Sequence, residues 1–115
     1  MLLLPRNFLT LPITRDSASV TAYRRPLGYV QVTPAITAAK LVLPTLPAGF
    51  QIGYAIIQCE GAVASARWRD DGTAPTSTVG MILSTGQELD YSGDLTMIQF
   101  IIAANVPILN ISYYA

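Results

Sequence analysis

The sequence has no histidine, one cysteine (Cys59) and one lysine (Lys40). Each scarcity removes a class of function. Without histidine the commonest general base is missing, and a Ser-His-Asp or Cys-His constellation is excluded. A single cysteine excludes an internal disulfide framework and a multi-cysteine zinc site. With histidine absent as well, a transition-metal site is not expected. Charge is scarce too: charged residues make up 12% of the chain, seven basic against seven acidic. That is about half of the roughly 25% usual in soluble proteins. Net charge is zero, so a polyanion-binding surface is not expected. Apolar runs stop short of the roughly 18 residues a spanning helix needs. Gly53 interrupts Ile52–Ile57, and Gln99, Asn105, Pro107 and Asn110 interrupt Ile98–Ile111. Met1-Leu2-Leu3-Leu4-Pro5 lacks the charged and apolar regions of a secretory signal. The expectation is a soluble, cofactor-free chain made inside the cell, without membrane or direct nucleic-acid contact.

What is present is 115 residues, 51% of them apolar, which suits one domain. So thin a coat of charge implies that something besides water covers part of the surface, most simply other copies of the chain or a larger assembly. Residues 1–26 differ from the rest. They carry Pro5, Pro12 and Pro26, and four of the seven basic residues against one acid, Asp16. The prolines forbid a continuous helix or central strand. This stretch reads as an extended arm, with an edge strand near Ser19–Tyr23, or alternatively as a strand and loop folded on the domain's own core. Its partner-binding candidates are the apolar Leu2, Leu3, Leu4, Phe8 and Leu9 and the basic Arg6, Arg15, Arg24 and Arg25.

Residues 27–115 carry the punctuation of an all-β domain. Strands are expected over Tyr29–Thr33, Ile36–Leu43, Ile52–Cys59, Ala62–Arg69, Gly80–Leu83, Glu88–Tyr91, Leu95–Ala103 and Val106–Tyr114. A short helix is the alternative over Ala35–Leu43. Turn signals every 8–12 residues favour a compact antiparallel β-sandwich or jelly roll of seven to eight short strands. Glu60-Gly61 reads as a two-residue hairpin connection. In Ala62–Arg69, Ala64, Ala66 and Trp68 fall on one face and Arg67 and Arg69 on the other. Trp68 is therefore expected in the core, and the arginines are expected to pair with acids across the sheet or a subunit boundary.

Catalytic and metal readings are weak on the same residues. The acids outside the arm are Glu60, Asp70, Asp71, Glu88, Asp90 and Asp94. Turn acids of this kind ordinarily accept hydrogen bonds from nearby backbone N–H groups. Neither a glycosidase pair nor a calcium loop has the spacing it needs. Cys59 reads as a small buried hydrophobe. The six tyrosines are spread along the chain, which favours packing over a sugar-binding platform.

The most distinctive run is Ala66-Arg67-Trp68-Arg69-Asp70-Asp71-Gly72-Thr73-Ala74-Pro75-Thr76. Leu89-Asp90-Tyr91-Ser92-Gly93-Asp94-Leu95 follows it, then Ile98-Gln99-Phe100-Ile101 and Leu109-Asn110-Ile111-Ser112-Tyr113-Tyr114. Over residues 52–115 this order resembles a pattern in small virion structural proteins of tailed bacteriophages. The resemblance implies a β-module that associates with itself, often as a trimer, and with the major capsid protein or other virion proteins. It implies a non-enzymatic role as a capsid decoration (cement) protein. The alternatives are a collar, head-fibre, tail or baseplate component, or a carbohydrate-binding sandwich for host attachment. Within the motif, Trp68, Asp70, Asp71, Gly72, Gly93 and Asp94 are expected to specify the fold. Trp68 would plug the core, Asp70-Asp71-Gly72 would turn the chain, and Gly93-Asp94 would make the next hairpin.

Overall fold

A computed structural model describes residues 24–115. The chain is all-β there, with eight strands: β1 (Pro26–Val32), β2 (Ala39–Lys40), β3 (Tyr54–Glu60), β4 (Ser65–Arg69), β5 (Met81–Ser84), β6 (Glu88–Tyr91), β7 (Gln99–Ala104) and β8 (Ile108–Tyr114). They form two four-stranded antiparallel sheets, ordered β1-β8-β3-β6 and β2-β7-β4-β5. The pairs β4·β5, β3·β6, β2·β7 and β1·β8 are nested one inside the next, as if the chain were doubled back at residues 70–80 and then rolled. The pairs β3·β8 and β4·β7 close the roll into two sheets. This is the winding of an eight-stranded jelly roll.

Strand alternation places the core. In β8, Leu109, Ile111 and Tyr113 are buried, and Ile108, Asn110, Ser112 and Tyr114 between them are half-buried. Register sets Ile57 against Ile111 and Cys59 against Leu109, so β3 and β8 turn one continuous apolar stripe inward. Ala66, Leu83 and Phe100 meet it from the second sheet, and Ile98 and Leu95 belong to the same buried cluster. Each large aliphatic or aromatic side chain removed from water this way contributes about 1.5–3 kcal/mol.

Several sequence expectations need correction. Glu60-Gly61 is not a hairpin, because β3 and β4 lie in different sheets. β3 already has β8 and β6 on its two edges, so the chain after Glu60 must cross the sandwich. Gly61 does take a positive φ of 134°, and a Cβ there would sit 2.7 Å from the Val106 carbonyl oxygen. Gly93-Asp94 is likewise a crossover, from β6 to β7, and not a hairpin. There the Asp94 carbonyl accepts from Met97 N–H at 3.0 Å and its carboxylate accepts from Thr96 N–H at 2.9 Å. These bonds turn residues 94–97 away from a ladder, so β7 begins at Gln99 and not at Leu95. The strand expected over Ile36–Leu43 shrinks to Ala39–Lys40, and no helix forms there.

Candidate functional site

The loop that joins β4 to β5 carries the distinctive motif. Arg69 pairs with Asp71, its Nε 3.0 Å from Oδ1. Asp71 Oδ1 also accepts from Thr73 N–H, and Gly72 turns at φ 87°. The Arg69 guanidinium holds the Asp71 carboxyl below the usual carboxylate range. Thr76 Oγ1 accepts from the N–H groups of Thr78 and Val79. Arg67 donates to the carbonyls of Ser77 and Gly80, binding the end of the loop back to β4. The expected acid pairing is thus found for Arg69, though inside its own loop. Arg67 pairs with backbone carbonyls because the returning loop brings them over its strand.

Asp70 departs from the usual turn-acid pattern. Its Oδ2 accepts from the Tyr91 hydroxyl at 2.7 Å, fastening the loop to β6 of the other sheet. Burial, then the Asp70 carboxylate, pushes the Tyr91 phenol far above its ordinary value. Tyr91 also meets the Trp68 ring edge-on at a centroid distance of 5.9 Å. Trp68 packs against the core without being sealed in it: it is half-buried and forms one wall of an open cavity of about 400 Å³. Arg69, Asp71, Val79 and Met81 complete the walls. Val79 and Met81 are exposed there, Ile82 is exposed on the Arg67 side of the sheet, and among the described residues β5 is an edge strand. Asp94 is held by Thr96, whose hydroxyl donates to Oδ1 at 2.6 Å.

The tyrosines are less scattered than the sequence implied. Tyr91 and Tyr113 point inward, but Tyr29, Tyr54 and Tyr114 share the outer face of the β1-β8-β3-β6 sheet. Tyr54 and Tyr114 are register partners with rings 5.8 Å apart. Beyond the rings, toward Glu60, runs a polar network. Asn110 Oδ1 accepts from the Tyr29 hydroxyl at 2.6 Å and from Gln31 at 2.9 Å, and Asn110 donates to Glu60 at 2.8 Å. Gln58 donates to Glu88 at 3.0 Å. Sequence parity could place Tyr114 and Ser112 on one side of β8, but only the register brings Tyr29 and Tyr54 to them.

Of the arm candidates, Arg24 and Arg25 lie on the domain's own rings. The Arg24 guanidinium carbon is 4.0 Å from the Tyr54 centroid, and that of Arg25 is 4.7 Å from Phe50. Leu2, Leu3, Leu4, Arg6, Phe8, Leu9 and Arg15 lie outside the described residues. Among the described residues no cluster of three metal-binding side chains occurs, and no helix is long and apolar enough to cross a membrane. Cys59 is buried, and burial pushes its thiol up.

No protein-family model matches the chain, and no curated protein is similar to it.

Proposed function

We propose that the chain is a non-enzymatic structural subunit that works by assembly, as a capsid decoration (cement) protein at contacts between major capsid subunits of a phage virion. The observation that carries this reading is the apolar Trp68 cavity, walled by the exposed Val79 and Met81 where the chain enters the edge strand β5. Exposed apolar surface at an unpaired edge is suited to burial by another protein. The same motif that builds the cavity carries the resemblance to virion proteins. The jelly-roll winding, the scarcity of charge and the basic N-terminal segment support the reading further. In it, copies associate with each other, as a trimer, and with the capsid surface.

Quantitative mass spectrometry of purified particles tests the proposal. Hundreds of copies per particle are expected. A few or dozens would move the chain to a collar, head fibre, tail or baseplate, and its absence from particles would refute the virion reading. The carbohydrate alternative draws on the three outer-face tyrosines, but Arg24 already covers one ring and the Tyr29 hydroxyl is committed to Asn110.

A further inference from the structure

The acids of the described residues fall into two sets. Asp70, Asp71 and Asp94 are engaged in the loops by Tyr91, Arg69 and Thr96. Glu60, Glu88 and Asp90 all stand on the outer face of the β1-β8-β3-β6 sheet. The outward positions of β3 are Tyr54, Ile56, Gln58 and Glu60, and Asp90 and Glu88 lie beside Ile56 and Gln58 on β6. The face therefore grows acidic from Tyr54 toward Glu60, over about 20 Å at the rise of a strand. Glu60 and Glu88 accept hydrogen bonds from neutral amides. Among the described residues, none of the three acids has a basic group within ion-pair distance.

The chain enters the domain on this same face. Arg24 lies over the Tyr54 ring, and Arg25 offers its carbonyl to Ala115 N–H at 2.9 Å. Upstream of Arg24 are 23 residues with two basic side chains, Arg6 and Arg15, and one acid, Asp16. Arg15 lies nine positions before Arg24, a reach of about 30 Å for a fully extended chain. That exceeds the length of the acidic stripe. We propose that this face is the docking surface for residues 1–23 of the same chain, with Arg15 and Arg6 paired to Glu60, Glu88 and Asp90. Single exposed ion pairs are weak. The tether compensates, because a segment joined directly to its dock meets it at high effective concentration. The inference does not depend on the virion reading. If both hold, the segment must leave its own face before it can grip a neighbour.

The test uses the full chain carrying Arg15→Lys, which keeps the charge and supplies an amine for zero-length carbodiimide coupling to carboxylates. The other side-chain amine is Lys40, whose charge is felt by Asp94 and which serves as the internal control. A mixture of ¹⁵N-labelled and unlabelled protein separates links within one chain from links between copies. Residue 15 is expected to couple to Glu60, Glu88 or Asp90 within one chain. In the full-length triple variant Glu60→Gln, Glu88→Gln, Asp90→Asn, amides of residues 1–23 should exchange about tenfold faster at unchanged Tm. Coupling to the loop acids, mixed-isotope links, or no coupling while Lys40 couples to Asp94 would each overturn the proposal. So would unchanged exchange in the triple variant. Glycan binding that the triple variant loses would reassign the face to sugars.

Discussion

A phenol taken into a sandwich must find a partner for its hydroxyl, and the two inward tyrosines differ in this respect. Tyr91 reaches Asp70 across the sandwich, whereas the buried Tyr113 hydroxyl has no hydrogen-bond partner among the described residues. The Tyr91 contact depends on Gly93, where an added Cβ would land on the phenol. Gly93→Ala is therefore expected to destabilise the fold by about 2 kcal/mol, the scale of overpacking in a closed core. Tyr91→Phe loses a hydrogen bond to a charged group, at about 1.5–3 kcal/mol. The double variant should fall short of the sum, because removing the hydroxyl relieves part of the clash. Urea denaturation of the four proteins measures this, and strict additivity would show that Gly93 serves something other than Tyr91. In the sequence Gly93-Asp94 has the composition of a hairpin turn. The actual task of Gly93, leaving room for a side chain two residues upstream, has no local signature.

At the scale of elements, strands and arches were unequally legible. Strand existence followed from alternation, and β8 shows it over its whole length. Which sheet a strand joins was not readable at Glu60-Gly61, because a hairpin and an arch use the same turn residues. The β3–β4 arch also contains the β-branched Val63 at φ 51°, exposed over 86% of its surface, with its carbonyl taking the Asn105 amide at 2.6 Å. A left-handed valine costs of order 1–3 kcal/mol unless the surroundings hold it. Val63→Gly should accordingly raise the stability, by about 1 kcal/mol after the extra unfolded-state entropy of glycine is subtracted. A higher denaturation midpoint with unchanged slope checks this. A lower midpoint would mean that the valine side chain is bound by something in the folded protein. The edge location of Trp68 was equally hidden: alternation pointed it inward, but it cannot show that the sandwich ends there.

For the molecule as a whole, pH sums the ionisable groups. Tyr54, Tyr91 and Tyr113 are all raised above the ordinary tyrosine value, each chiefly by burial, and Asp90 and Asp70 add to the shift of the first two. Their neutral forms are favoured in the folded state, so their contribution is complete below about pH 10. It is lost as pH rises from there through the folded values. Asp71 and Asp94 are lowered, by Arg69 and by Thr96, and contribute above the unfolded carboxylate range. Their part is lost as pH falls through the folded values. Tm should be flat near neutrality and fall steeply above about pH 10, and Tyr113→Phe should soften that alkaline fall. An unchanged slope in the variant would remove Tyr113 from the account. The all-β class and the number of strands were legible because they rest on local periodicity. The acidic, tyrosine-lined face was not, since Glu60, Glu88 and Asp90 come together only through the pairing of β3 with β6.

The outermost pair of the roll has a mechanical consequence. Among the described residues, β1 is an edge strand with β8 as its one neighbour, and Pro26 is paired with Tyr114 at the end where the chain enters. Bonds of an antiparallel ladder lie across the strands. A pull on the N-terminal segment, directed away from the sheet, loads this ladder from its open end. It breaks one rung at a time and does not shear all the rungs together. Under tension from a neighbour, β1 would peel first, leaving the β8 edge bare and the inner pairs of the roll intact.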